Sequence, residues 1–206
     1  MFTVIKLGGC NGSGKTTLAR AVMDLAGVQP CTVLLPSGKW TKVYLAKYEG
    51  HHLVVLGKYD TACGGMDTIS DKNDRLWLLD VYCKRGNIVF YEGLITGKTY
   101  GAMGELSEKH VRSKKGIWLY TFMDTSFDDC VSRVLQRREA KGNDSPFDPE
   151  RTMRPTYRGI ENLRNRVNTD NLHEMFVVSG SATPKVSARA LLKRAASIQE
   201  KPQWPK

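Results

Sequence analysis

Residues 9–16 form the pattern with the clearest chemical meaning in the chain. They read Gly-Cys-Asn-Gly-Ser-Gly-Lys-Thr, which matches the spacing G-x-x-x-x-G-K-[ST] in full. Glycines at this spacing let backbone N–H groups point at phosphate oxygens, and a helix that begins there adds its positive end. We therefore expect Lys15 to contact the β- and γ-phosphates of ATP, and the Thr16 hydroxyl to bind Mg²⁺. The predicted nucleotide contacts are Gly9, Asn11, Gly12, Ser13, Gly14, Lys15, Thr16 and Thr17.

A carboxylate follows a short, fully apolar run that is typical of a buried parallel strand. Residues 88–91 read Ile-Val-Phe-Tyr, and Glu92 and Gly93 come directly after them. Open α/β sheets bind ligands outside the carboxyl ends of their strands, so Glu92 is expected beside the phosphate loop. There it could hold the Mg²⁺ ion or accept the proton of a substrate hydroxyl. A solvated acid at a strand end is the alternative.

Arginines lie on one face of a predicted helix that leads into a loop rich in helix breakers. Arg133 and Arg137 are four residues apart, and we predict a lid over about residues 138–154. The two arginines would then stabilise the transferred phosphoryl group. Arg151 and Arg154 would lie on one face and contact substrate phosphates if the next helix begins early. A solvent-facing basic stripe is the alternative.

The acceptor side is predicted in the segment 56–71, which follows a predicted strand and should also lie at the carboxyl edge of the sheet. Asp60 or Asp67 could orient the accepting hydroxyl, and Tyr59 could stack on a base. An Asp- and Gly-rich loop that caps the next helix explains the same residues equally well. The predicted acceptor contacts are Tyr59, Asp60, Gly64, Gly65 and Asp67.

Apolar runs and helical periodicities alternate along the chain, which predicts an α/β P-loop fold with a mainly parallel central sheet and helices on both faces. The run 42–48 alternates in polarity, which favours a small antiparallel insertion. The chain of 206 residues suits a single domain that ends in a helix over about 184–200, and Ala182 just before that helix would contact the adenine. The predicted strands are 2–7, 32–35, 42–48, 53–57, 88–91, 117–122 and 175–178.

Composition narrows the possible partners and the compartment. The net charge of +10 makes nucleic acid a candidate partner, although arginines that bind phosphates would also contribute to it. Five scattered cysteines without a Cys-x-x-Cys spacing argue against a disulfide framework or a zinc site and favour a reducing compartment. No apolar run approaches the roughly 20 residues of a membrane helix, and we expect a cytoplasmic protein.

The motifs together resemble the small P-loop kinases of bacteriophages that act on hypermodified thymidines, and in particular the 5-hydroxymethyluracil DNA kinase family. The resemblance covers most of the chain and is carried by residues 9–16, 59–71, 92–93 and 133–138. The sequence Lys-Tyr-Asp-Thr-Ala-Cys-Gly-Gly-Met-Asp over residues 58–67 is its most family-specific part. The resemblance implies transfer of the ATP γ-phosphate to the hydroxymethyl group of a base in phage DNA, in the cytoplasm of the host cell.

A DNA acceptor has structural consequences. The base must leave the stack to reach the phosphate loop. Tyr59 or Trp40 could then replace its stacking partners, and basic side chains could hold the flanking phosphates. The candidates for that role are Lys39, Lys42, Arg151 and Arg154.

Two other functions use the same motifs. One is a kinase of a free nucleoside, a nucleoside monophosphate or another small hydroxyl metabolite. The other is a nucleotide-binding switch without an acceptor, although the sequence has no Asn-Lys-x-Asp guanine motif. The sequence predicts neither the oligomeric state nor which of Glu92, Asp60 and Asp67 accepts the proton.

Overall fold

Seven strands form one mixed sheet in the computed structural model, which describes residues 1–60, 64–84, 86–93 and 100–200. They are β1 (Phe2–Gly8), β2 (Gln29–Leu34), β3 (Trp40–Tyr48), β4 (His51–Leu56), β5 (Asn87–Glu92), β6 (Gly116–Asp124) and β7 (Glu174–Ser179). Their order in the sheet is β2-β3-β4-β5-β1-β6-β7. Within the part β4-β5-β1-β6-β7 each strand is parallel to its neighbours, whereas β3 is antiparallel to both β2 and β4. This confirms the mainly parallel sheet with a small antiparallel insertion.

Helices cover both faces of the sheet. They are α1 (Lys15–Ala26), α2 (Lys72–Tyr82), α3 (Gly101–Arg112), α4 (Phe127–Glu139), α5 (Pro149–Thr152), α6 (Arg154–Asp170) and α7 (Pro184–Glu200). Because successive strand residues point to opposite faces, Val4 packs with α2, α3 and α6, whereas Ile5 packs with α1 and α7. Within the described ranges, none of these helices has the length and apolar character needed to cross a bilayer.

The largest difference from the predicted elements is at β2. The sequence predicts that this strand begins at residue 32, because Pro30 reads as a helix terminator, but β2 begins at Gln29 and includes Pro30. This strand lies at the edge of the sheet, where the missing N–H of a proline removes no interior ladder bond. The helix before it, α1, ends at Ala26, and Gly27, which has a φ of 63°, caps it.

Candidate active site

The loop between β1 and α1 closes on itself and against a neighbouring helix. Ser13 N donates a hydrogen bond to the carbonyl oxygen of Cys10 at 3.2 Å. Gly12 has a φ of 80°, and a Cβ atom there would lie 2.2 Å from the carbonyl oxygen of Cys130 on α4. Only glycine fits at position 12, because any side chain would collide with backbone. The loop therefore has the strand–loop–helix arrangement that phosphate binding requires.

Lys15 lies inside this loop with only 8% of its surface exposed. Its Nζ donates a hydrogen bond to the carbonyl oxygen of Cys10 at 2.9 Å. Burial lowers the pKa of Lys15, and the negative charges of Glu92 and Asp67 act in the opposite direction. A desolvated ammonium group attracts an anion strongly, because little water is left to screen it. The interior of the loop thus fits a phosphate group.

Glu92 lies beside the loop, at the end of β5, where the strand pattern places it. The parallel register of β1 and β5 pairs Leu7 with Glu92, so the carboxylate reaches the first turn of α1. Thr16 Oγ1 donates a hydrogen bond to Glu92 Oε1 at 2.8 Å. Burial raises the pKa of Glu92, although Lys15 and the hydrogen bond from Thr16 lower it. A hydroxyl and a carboxylate this close are the oxygen ligands that Mg²⁺ prefers.

The segment after β4 folds back over Glu92. Gly65 N donates to the carbonyl oxygen of Lys58 at 2.8 Å, while residues 61–63 lie outside the described residues. Gly65 has a φ of 81°, and a Cβ atom there would lie 2.3 Å from the carbonyl oxygen of Glu92. This close approach brings the short 3-10 helix Met66–Thr68 to the site, so that the charge of Asp67 raises the pKa values of both Lys15 and Glu92.

We expect Gly65→Ala to reduce kcat by about 100-fold, because displacement of the turn moves Asp67 by about an ångström. Alanine at this φ and ψ, a combination that is almost confined to glycine, also costs about 1–3 kcal/mol of stability, and the backbone contact adds to it. Gly27→Ala is the matched control, since Gly27 also has a positive φ but no described atom within 4 Å of an added Cβ. Steady-state kinetics and thermal unfolding of both variants test this, and equal effects would contradict it.

Asp60 is paired with side chains of β3. Its carboxylate is 2.8 Å from Lys42 Nζ and accepts a hydrogen bond from Tyr44 Oη at 3.3 Å, both on β3. The hydrogen bond from Lys42 lowers the pKa of Asp60. Its side chain is half exposed. The geometry therefore favours a surface ion pair at Asp60 over the predicted catalytic role.

Tyr59 is a core residue in this structure. Only 6% of it is exposed, and its ring packs edge to face on Tyr44 with the centroids 5.9 Å apart. Burial raises the pKa of Tyr59 well above its usual value. The ring presents no open face, so the geometry does not support the prediction that Tyr59 stacks on a base.

The predicted arginine helix reaches the loop through one of its two arginines. Arg133 Nη1 donates a hydrogen bond to the carbonyl oxygen of Gly12 at 3.4 Å. Arg137 Nε instead donates to the carbonyl oxygen of Arg133 at 3.3 Å and stays on the helix surface. The next arginine, Arg138, binds Asn143 and Ser145 in the segment that follows α4. Closure of residues 138–154 as a lid stays a prediction.

Arg151 and Arg154 are predicted to share one helical face if the next helix begins early. Met153 separates α5 from α6, so the two arginines lie on different helices. The Arg154 guanidinium lies 2.6 Å from Glu150 and 3.5 Å from the ring centroid of Phe127. Arg151 is exposed in α5. Among the described residues, no hydrogen bond or ion pair joins either arginine to residues 9–16.

Comparison with known proteins decides the family. A family model described as 5-hmdU DNA kinase matches residues 2–167. The chain belongs to this family. It is 34% identical to the 5-hmdU DNA kinase of Pseudomonas phage PaMx11 over 145 aligned residues. The alignment covers 69% of this chain and 73% of the relative. The 5-hmdU DNA kinase of Pseudomonas phage M6 is 27% identical over 158 residues, or 72% and 80% of the two chains.

Among solved structures, a deoxyadenosine kinase from M. mycoides aligns with a TM-score of 0.46 and 12% identity, over 95% of this chain and 99% of that one. A similarity at that level supports no statement about this protein. The match to the 5-hmdU DNA kinase family ends before β7 and α7. Ala182 therefore lies outside it, and its contact with adenine stays a prediction. Gly180 N donates to the carbonyl oxygen of Asp124 at 3.1 Å, which places this turn against the end of β6.

Arg20 is a site residue of this family member that sequence reasoning missed. It follows Thr16 by one helical turn and donates from Nη2 to the carbonyl oxygen of Tyr59 at 3.4 Å. Its charge also lowers the pKa of Glu92. The spacing of four residues from Thr16, on the same face of α1, was the available signal. A second missed residue is Thr125, whose Oγ1 donates to the carbonyl oxygen of Ser13 at 3.1 Å and fastens the loop to the end of β6.

Proposed function

We propose that the protein is an ATP-dependent kinase that transfers the γ-phosphate to the hydroxymethyl group of 5-hydroxymethyluracil in phage DNA. The observation that carries the proposal is the convergence of Lys15, Thr16, Glu92 and Asp67 at one edge of the sheet, in a member of the 5-hmdU DNA kinase family. Two relatives from Pseudomonas phages carry that activity in their names. The cytoplasm of the infected cell, where the DNA is made, is the expected location.

The residues of the loop fit a triphosphate with its metal. Besides the buried ammonium of Lys15, the buried hydroxyl of Ser13 has no hydrogen-bond partner among the described residues. An orphaned donor of this kind is explained by an anion in the loop.

Thr16 and Glu92 would hold Mg²⁺, which would neutralise charge between the β- and γ-phosphates. The described residues contain no cluster of three or more His, Cys, Asp or Glu side chains that could hold a metal. Mg²⁺ commonly takes only one or two protein ligands beside phosphates.

We infer that the two acids have different roles. Glu92 is 2% exposed and bonded to Thr16, which suits a metal ligand. Asp67 is only partly buried, and its charge acts on the pKa values of both Glu92 and Lys15. A carboxylate in this position suits contact with an incoming hydroxyl. In this proposal the hydroxyl proton passes to the Asp67 carboxylate while the hydroxyl oxygen bonds to the γ-phosphorus. The bond between the γ-phosphorus and the β–γ bridging oxygen breaks, and ADP leaves. Arg133 stabilises the charge on the transferred group.

The pKa of Glu92 predicts how the affinity for magnesium depends on pH. Because its pKa is raised, this carboxylate takes up a proton at a higher pH than an ordinary glutamate does. A protonated carboxyl group is a poor metal ligand. We expect the dissociation constant of Mg²⁺-ATP to rise as the pH falls toward the ordinary range of a glutamate, and to rise less in Glu92→Gln, whose amide does not titrate. Calorimetric titration measures both proteins, and identical pH dependence would contradict the assignment.

The acceptor is tested directly with ATP labelled at the γ-phosphate. The substrates are a DNA duplex with one 5-hydroxymethyluracil, the same duplex with thymine, the free nucleoside and its monophosphate. We expect label only in the modified duplex, and we expect its transfer to weaken as salt rises, because DNA binding releases counterions. Label found on the free nucleoside or monophosphate and absent from the duplex would replace this proposal with a small-molecule kinase. ATP binding without label in any acceptor would favour a nucleotide switch.

A further inference from the structure

The antiparallel insertion extends the sheet at the edge where the proposed reaction takes place. β3 runs antiparallel to β4, and Val43 is paired with Leu56 near the carboxyl end of β4. The first residue of β3, Trp40, therefore lies beyond that end, on the same edge as Glu92 at the end of the parallel strand β5. The turn of residues 35–39, which joins β2 to β3, projects from this edge. We call residues 34–40 the hairpin tip.

The hairpin tip exposes two large apolar side chains side by side. Trp40 is 60% exposed and Leu34 is 50% exposed. The two residues are direct cross-strand partners in the β2–β3 ladder, so their side chains lie on the same face. Adjacent apolar side chains that remain in water are unfavourable for an isolated protein, and they mark a surface that contacts a partner.

The hairpin tip is also rigidly attached. Leu35 N donates to the carbonyl oxygen of Lys39 at 2.8 Å, which closes the turn. Ser37 N donates to Asp74 Oδ1 at 3.1 Å, and the Ser37 hydroxyl binds the other oxygen of the same carboxylate. Asp74 is 2% exposed and belongs to α2, so the turn is fastened to the body of the protein. A backbone turn that is already fixed loses little conformational entropy when a partner binds the side chains it carries.

The surroundings of Trp40 connect it to the candidate active site. Lys42 and Tyr44 lie on the same face of β3 as Trp40, because side chains alternate along a strand. Both contact Asp60, and Tyr44 packs on Tyr59, whose pKa is raised in part by the charge of Glu92. Two residues of β3 that follow the tip thus contact the segment that folds over Glu92. The charge complementary to DNA is also present, since Lys39 is exposed beside Trp40 and the chain carries a net charge of +10.

We propose that the hairpin tip inserts Trp40 into the base stack of duplex DNA and keeps the acceptor nucleotide out of the helix. The inference rests on the proposed function, because only a base within a duplex has to be extruded before a hydroxyl on it can reach the phosphate loop. An apolar or aromatic side chain that fills the vacated space replaces the stacking that the neighbouring bases lose. Tyr59 is buried and does not supply this surface.

The test compares duplex and single-stranded acceptors of the same sequence, each with one 5-hydroxymethyluracil. Trp40→Ala should lower kcat/KM on the duplex by about tenfold or more and on the single strand by less than about twofold, because a single strand needs little extrusion. Trp40→Phe should retain most of the duplex activity. Trp77→Ala is the matched control, since Trp77 is 38% exposed on α2 and is expected to leave both rates unchanged.

Extrusion is measured separately with 2-aminopurine placed next to the target base. We expect its fluorescence to rise when the wild-type protein binds the duplex, and to stay low with Trp40→Ala. Equal loss of activity on duplex and single strand, or no loss on either, would overturn the wedge and leave the kinase proposal intact. So would a wild-type dimer that Trp40→Ala converts to a monomer, because the tip would then bind a second copy. A wild-type protein that labels no DNA would remove both proposals.

Discussion

Lys15→Ala is expected to lower kcat by about 1,000-fold or more, on every acceptor. Lys15 is the only charged side chain among residues 9–16, and charge stabilisation supplies most of the rate in phosphoryl transfer. Lys15→Met is the more conservative variant, because it keeps the apolar stem in the buried site. Initial rates with labelled ATP, together with calorimetric titration of Mg²⁺-ATP, measure the loss.

The control is Lys109→Ala, at an exposed lysine on α3. Its rate should equal that of the wild type. Burial disfavours the charged form of Lys15, so we expect Lys15→Met to unfold at the same temperature as the wild type or higher. A Lys15→Ala variant that retains more than about a tenth of the wild-type rate would contradict the role of the loop, since one lost charge contact costs far more than that.

Asp67→Asn is expected to lower kcat by about 100- to 10,000-fold while the affinity for Mg²⁺-ATP stays the same. The amide cannot accept a proton, and general bases contribute rate factors of that size. Glu92→Gln should behave differently: it should raise the magnesium concentration needed for half-maximal rate, because it removes the proposed metal ligand. Titrations of rate against magnesium and against ATP distinguish the two patterns.

Asp60→Asn is the third member of this series and serves as its control. Asp60 is paired with Lys42 at the surface, and exposed ion pairs contribute little. We expect its kcat on a single-stranded acceptor to stay within about threefold of the wild type. If Asp60→Asn lost the most activity, or if Asp67→Asn lost none, the assignment of the proton acceptor would be reversed.

The parts of the site that could be predicted from the sequence are those coded by contiguous residues. The phosphate loop is one motif between one strand and one helix, so its backbone geometry follows from its own residues. Glu92 could be predicted because the apolar run before it identifies a buried strand, and parallel strands end at the same edge. The antiparallel β3 could be predicted from the alternation of residues 42–48.

The rest depends on tertiary contacts that no local pattern reports. The sequence makes Asp60 and Asp67 equal candidates for orienting the hydroxyl. The approach of Gly65 to Glu92 is what brings Asp67 close enough for its charge to raise the pKa of Glu92. The pairing of Asp60 with Lys42 depends on the register of β3 against β4. The chain divides into α5 and α6 at Met153, whose side chain is 1% exposed and packs with Cys10, Phe127 and Cys130.

The absence of a side chain at Gly12 has a further consequence. Backbone of α4 occupies the space that a Cβ atom would take, and Arg133 from the same helix holds the Gly12 carbonyl oxygen. The loop and α4 are thus in direct steric contact and cannot shift independently. Linkage is reciprocal: if ATP favours one position of α4, then holding α4 in that position must tighten ATP by the same factor. The affinity for ATP and the position of α4 are therefore thermodynamically linked, so a measurement of one reports on the other.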